Sequence, residues 1–191
     1  FKSLLLKIFP SIKTGYINDY YAIKQKNYLA DYLKDHLDST LLHLDEKWIR
    51  SESEINIKLL ISELSKSVPK LIITFGNYLT KYNSILIKEF DFKEVNKNMY
   101  KYKNILLIKK LSVSDLMYIA SISNLIITHE GGLTHIASIY RKKLINIFSL
   151  INNGHSKNLA SKWLPKTEDY IEADLDNLNN LPLSVKKILR N

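Results

Sequence analysis

The chain has 191 residues, 46% hydrophobic and 25% charged, enough for one full core or for one complete domain with part of another. It has no cysteine, which excludes disulfides and thiol catalysis, and no apolar run approaches the ~20 residues of a membrane helix. Lys and Arg number 28 against 19 acids, a net charge of +9, but only Arg50, Arg141 and Arg190 are arginines. A basic surface favours anionic partners, yet the Arg-rich, aromatic-interleaved patches of nucleic-acid readers are missing, so nucleic acid is not expected.

In chain order, Leu4, Leu5, Leu6, Ile8 and Phe9 read as the end of a buried helix stopped by Pro10. The first residue is Phe1 rather than Met and the start has no signal-peptide pattern, so the expectation is a piece of a cytoplasmic protein. Leu29, Tyr32, Leu33 and Leu37 have helical spacing. Thr40 to Leu44 reads as a strand, followed by the polar Asp45, Glu46 and Lys47 and by Trp48. Ser51 with Glu54 is a capping-box signature before Ile57, Leu60, Ile61 and Leu64, and Pro69 ends that helix.

Lys70 to Phe75 is the next strand, closed by Gly76, and Tyr78, Tyr82, Ile85 and Leu86 are placed to line a helix. The charged, tyrosine-dotted run Asp91 to Lys103 reads as a loop with at most a turn of helix. Ile105 to Ile108 is a strand ending at Lys109 and Lys110, and Ser112 with Asp115 caps a helix carrying Val113, Leu116, Met117 and Ala120.

The unbroken apolar run Leu125, Ile126, Ile127 then predicts a parallel strand covered on both faces. Gly131 and Gly132 follow, and Leu133, Ile136, Ala137 and Tyr140 fall on one helix face before a second buried strand from Leu144 to Phe148. Glycine is needed where φ is positive or where a ligand approaches the backbone, and a helix start offers free N–H groups to an anion. Phosphate binding and plain turn chemistry both fit this local pattern. His129, Glu130 and His135 do not make a zinc motif: the histidines are six residues apart, on different sides of a helix, with glycines between them, so no metal is expected. A polar loop follows to Ser156, Trp163 ends a short helix, Tyr170-Ile171 is a last strand, and Ser184 caps a basic final helix with Val185, Ile188 and Leu189.

Strands alternating with helices predict an α/β fold, a doubly wound parallel sheet of Rossmann type. The run Thr128-His129-Glu130-Gly131-Gly132-Leu133-Thr134-His135-Ile136-Ala137 resembles the Asp-Ser-Gly-x-x-His-x-Ala signature of the heptosyltransferase-like glycosyltransferases, family 9. Upstream, Lys110-Leu111-Ser112-Val113-Ser114-Asp115-Leu116 resembles that family's Lys-Leu-Ser-Leu-x-Glu segment, and Ile12 to Tyr16 its Arg-Ile-Gly-Tyr element. Glu130 stands for the family's Asp, Gly131 for its Ser, Lys143 for a Pro and Ser149 for a Gly, and no ribose-holding glutamate occurs between Asn77 and Ile87.

The resemblance implies the C-terminal, donor-binding half of a GT-B glycosyltransferase over residues 40–191, with residues 1–39 the end of an N-terminal lobe and a connector. It implies a nucleotide-diphosphate sugar as donor, a glycan or lipid-linked acceptor of bacterial surface or lipopolysaccharide type, and no cofactor. It also implies a cytoplasmic location in peripheral contact with an anionic inner membrane. Thr128 opens the binding motif. Glu130 would meet the sugar or ribose, Gly131, Gly132 and His135 the phosphates, and Lys110 and Lys47 would add positive charge. Two alternatives stay open: a GT-B-fold nucleotide-sugar epimerase, which needs no acceptor, and a non-catalytic nucleotide-binding module.

Overall fold

The structure is a computed structural model that describes residues 29–45, 54–76, 86–129, 131–148, 170–174 and 180–190. Its strands are β1 (Thr40–Leu44), β2 (Leu71–Phe75), β3 (Lys93–Asn96), β4 (Met99–Tyr102), β5 (Ile105–Ile108), β6 (Leu125–His129), β7 (Lys143–Phe148) and β8 (Tyr170–Asp174). Its helices are α1 (Leu29–Leu33), continued by a 3-10 turn Lys34–His36, then α2 (Glu54–Ser67), α3 (Val113–Ile122), α4 (Gly132–Ile139) and α5 (Leu181–Arg190). Among the described residues, no helix is long and apolar enough to cross a membrane.

The strands form one eight-stranded sheet in the order β3-β4-β5-β2-β1-β6-β7-β8. From β5 to β8 every pairing is parallel, and β3 and β4 are antiparallel. The apolar runs follow from coverage on both faces. Leu42, Leu44, Ile73 and Ile127 point to one side, where they meet Ile57, Ile61 and Leu64 of α2 and Val185 and Ile188 of α5. Their neighbours Leu41, Ile72, Ile126 and Leu144 point to the other, against α1 (Leu29, Leu33), α3 (Ile119) and α4 (Leu133, Ala137). The parallel strands step one way from β1 through β2 to β5, then the chain returns across β1 to β6 and continues to β7 and β8. Right-handed crossovers therefore put α2 on one face and α3 and α4 on the opposite one.

The expected caps and stops are partly as read. Asp115 N–H donates to Ser112 Oγ at 3.1 Å and Ser112 N–H to Asp115 Oδ2 at 3.0 Å, the reciprocal capping box of α3. Asn104, between β4 and β5, donates from Nδ2 to the carbonyls of Ser65 and Val68 at 2.8 and 2.9 Å, closing the C-terminal end of α2.

Two expectations are corrected. The run from Asp91 to Lys103 is not a loop but the hairpin of β3 and β4, which extends the sheet antiparallel beyond β5. It hid because β3 is an edge strand whose Lys93, Glu94 and Val95 are all exposed, so no apolar alternation marks it. The last helix starts at Leu181, placing Ser184 inside its first turn rather than at its cap. Pro182 is tolerated there because first-turn amides have no intrahelical acceptor. Ser51, the helix expected over Tyr78, Tyr82 and Ile85, the loop to Ser156, Trp163 and residues 1–28 lie outside the described residues.

Candidate functional site

In doubly wound sheets the strand order reverses at one pair of neighbouring parallel strands, and the connections leaving their carboxyl ends go to opposite faces, which leaves a crevice for ligands. Here that pair is β1 and β6, in register from Thr40↔Leu125 to His43↔Thr128. The carboxyl end of β6 leads into the glycine turn and α4, so the sheet topology sets the most distinctive motif of the sequence at its switch point. Lys47 and Glu130, two of the residues expected to bind, lie outside the described residues.

The turn itself discriminates between the two reasons for a glycine. Gly131 is extended, with φ of 164°, and Gly132 is the first residue of α4. Neither has the left-handed backbone that favours glycine, whereas Asp38, Asp91, Asn98, Lys103, Lys110 and Arg141 all have φ between 50° and 63°. Among the described residues, lysine, arginine, aspartate or asparagine stands where the backbone turns left-handed, and the glycines of this turn stand where it does not. Nor is the space filled: a Cβ at Gly131 or Gly132 would meet nothing within 4 Å. The glycines leave bare backbone at the start of a helix, facing open space.

Thr134 holds that start in place. Its Oγ1 accepts from Gly131 N–H at 3.3 Å, and its single hydroxyl proton faces the His129 carbonyl and Asn146 Oδ1, each at 3.5 Å. Thr134 N–H in turn donates to the Gly131 carbonyl at 3.1 Å. Of the four amides a helix start leaves without intrahelical acceptors, those of Gly131 and Thr134 are thus engaged locally, and those of Gly132 and Leu133 remain to meet an anion. Leu133 and Thr134 are buried against the sheet, which anchors this first turn.

Under the turn runs a polar row that the sequence reading missed except at Thr128. Thr74, His43, Thr128 and Asn146 are register partners across β2, β1, β6 and β7. They project to the α4 side, since each follows by two residues a side chain of that core: Ile72, Leu41, Ile126 and Leu144. Thr74, Thr128 and Asn146 are buried and His43 is half-buried, its Nδ1 2.8 Å from Thr74 Oγ1. A signal was present: each strand has a polar residue one place before an apolar or terminal one, as in Leu-Leu-His-Leu, Ile-Ile-Thr-Phe, Ile-Ile-Thr-His and Ile-Asn-Ile-Phe.

The remaining candidates are farther apart. His135 is half-buried in the first turn of α4, away from the face carrying Leu133 and Ala137, and helical Cβ atoms tilt towards the N-terminus and hence towards the glycines. Lys110 is exposed at the end of β5, three strands from β6, which is roughly 14 Å at ~4.8 Å per strand. A ligand touching both must lie along the strand ends. Among the described residues no group of three or more His, Cys, Asp or Glu is arranged to hold a metal.

No family model matches the sequence, and no curated protein matches it. Solved structures do resemble it. A UDP-GlcNAc 2-epimerase of Methanocaldococcus jannaschii in complex with UDP-GlcNAc and UDP matches with a TM-score of 0.60 at 16% identity, over 91% of this chain and 44% of that one. The E. coli heptosyltransferase WaaC with ADP matches at 0.57 and 12%, over 82% of this chain and 45% of the other. ALG13, solved by NMR, matches at 0.50 and 15%, over 82% of this chain and 86% of ALG13. The chain spans less than half the length of the epimerase and the heptosyltransferase. No family follows at such identities, but the architecture does: the chain has the Rossmann-like, mostly parallel α/β fold of GT-B nucleotide-sugar proteins.

Proposed function

We propose that this chain binds the nucleotide-diphosphate sugar donor of a heptosyltransferase-like glycosyltransferase, with the diphosphate on the glycine turn at the start of α4. The observation that carries this reading is the pair of glycines whose backbone conformation and packing do not require glycine, set at the sheet's switch point. In transfer, the bond between the sugar carbon and the diphosphate oxygen breaks, and the leaving diphosphate gains negative charge. The amides of Gly132 and Leu133 and the ~+0.5 charge at a helix N-terminus stabilise that charge as it develops. His135 adds a donor to the same group, Glu130 meets the sugar or ribose, and Lys110 and Lys47 supply positive charge along the ligand.

The acceptor, a glycan or lipid-linked glycan, and the base that takes its proton belong to the other lobe of such an enzyme. Exposed Lys186, Lys187 and Arg190 on α5 offer a basic face to an anionic membrane. The likeness to the epimerase supports a second reading in which the same diphosphate site serves an enzyme without an acceptor.

Calorimetric titration with UDP and ADP tests the binding reading; absence of heat with both refutes it. Incubation with UDP-GlcNAc, followed by proton NMR of the sugar, separates the two enzymes. Appearance of the C2 epimer establishes the second.

A further inference from the structure

We infer that α5 lies flat on an anionic phospholipid bilayer, with Leu183 entering the headgroup layer and Lys186, Lys187 and Arg190 meeting its phosphates. The inference deepens the membrane contact of the proposed function and rests on that part of it, not on the diphosphate site.

The spacing of its residues gives α5 two faces. Leu181, Val185 and Ile188 are buried in the core that α2 and the sheet share. On the opposite side Leu183, Lys186, Lys187 and Arg190 recur at i, i+3, i+4 and i+7, a strip about 100° wide. All four are exposed, Leu183 by 65%. Charge balance sets this strip apart from the other helices. Every other lysine in the described helices has a carboxylate beside it: Lys34 Nζ is 2.8 Å from Asp31, Lys66 Nζ is 2.6 Å from Glu63, and Lys58 pairs with Glu89. Lys186, Lys187 and Arg190 form no ion pair among the described residues, and α5 contains no acid at all. The helix dipole favours cations in a last turn but equally acids in a first turn, and α5 has none there, so the dipole does not account for this composition.

The three cations fall within ~6 Å of helix length, less than a Debye length of about 8 Å, so they act on a charged surface as one patch. Leu183 chooses the kind of surface. A nucleic acid would meet the cations but leave Leu183 in water, and α5 has no aromatic ring on which a base could stack. A bilayer takes both. Leu183 and the methylene stems of the lysines and the arginine enter the acyl boundary, while the charged heads reach the lipid phosphates.

Vesicle sedimentation tests this. Wild type, Lys186→Gln/Lys187→Gln/Arg190→Gln and Leu183→Ser are spun with vesicles of phosphatidylcholine alone and of phosphatidylcholine and phosphatidylglycerol in equal parts, with folding checked by circular dichroism. A control variant removes the same charge elsewhere: Lys97→Gln/Lys101→Gln/Lys103→Gln, three exposed lysines of the β3–β4 region, at the sheet edge farthest from β8. Wild type should sediment with the mixed vesicles only and come off in ~0.5 M salt. Each cation at an anionic surface raises partitioning about fivefold, so the α5 triple variant should lose on the order of a hundredfold and the control at most a few-fold. Leu183→Ser should lose about tenfold. Equal losses in the two triple variants assign binding to overall charge and overturn the role of α5. Wild type that ignores the mixed vesicles, or binds both kinds alike, overturns it even where a variant does not fold. Wild type that binds single-stranded polyuridylate as tightly as the mixed vesicles, with no loss in Leu183→Ser, overturns the bilayer in favour of a polyanion. Titration of UDP and ADP reads the glycine turn separately: wild type that binds neither refutes the diphosphate reading and leaves the vesicle result standing.

Discussion

Gly132→Val separates a binding glycine from a structural one, because the structure predicts opposite signatures for the two. Gly132 is helical and a Cβ there meets nothing within 4 Å, so the substitution introduces no clash. Valine is roughly 0.4 kcal/mol better than glycine inside a helix, so stability should stay within about 0.5 kcal/mol of wild type. In a domain of this size that is at most about 2 °C in Tm. The added side chain tilts towards the helix N-terminus, into the volume where a phosphate would meet the amides of Gly132 and Leu133. Two hydrogen bonds to a charged group, each worth ~1.5–3 kcal/mol, give a loss of about 3–6 kcal/mol, or roughly 10² to 10⁴ in affinity. Thermal melts and calorimetric titration of UDP and ADP read the two quantities separately. A folded variant with wild-type affinity would refute the placement of the site.

Arg141 follows the last turn of α4 at φ 52°, where Arg141 N–H bonds to the Ser138 carbonyl and Lys142 N–H to the Ala137 carbonyl, the pattern of a Schellman cap. Arg141→Gly should therefore raise stability by about 1 kcal/mol, or 2–4 °C in Tm, without altering nucleotide affinity. Asn104→Ala should cost about 1–3 kcal/mol in denaturant titration, since it abandons two carbonyls at the end of α2. His36 has its pKa lowered from 6.5, chiefly by burial and further by Lys101 and Lys70, with Asp35 opposing. The unfolded chain takes up that proton first, so the contribution to stability is whole above about pH 6.5 and is lost as pH falls below it. Replacing His36 with Gln should flatten that limb of a stability–pH curve, and an unchanged slope would show that other groups set it. Nucleotide affinity measured with and without EDTA should be the same, since the proposed site meets the diphosphate with a helix N-terminus and basic side chains rather than a cation.

The elements of this fold were legible because their causes are local. Unbroken apolar runs such as Leu71 to Ile73 and Leu125 to Ile127 mark strands covered on both faces, and Ser112 with Asp115 marks a helix start through bonds made within four residues. The glycine turn was legible as a place, since two adjacent glycines between a strand and a helix interrupt both patterns. Why they are glycines was not: only φ near 164° at Gly131 and the empty volume beside both residues discriminate an open approach from a left-handed turn. The β3–β4 hairpin was illegible because an exposed edge strand is held by backbone pairing to its neighbour, which leaves no side-chain periodicity. Strand order belongs to the tertiary structure as well. Residues 43, 74, 128 and 146 are scattered over more than a hundred positions and become one row only when the crossover after β5 carries β6 to the far side of β1. The period of apolar residues fixes which face a side chain takes, but the neighbour across the sheet is chosen by packing and crossover handedness, which no local run of sequence contains.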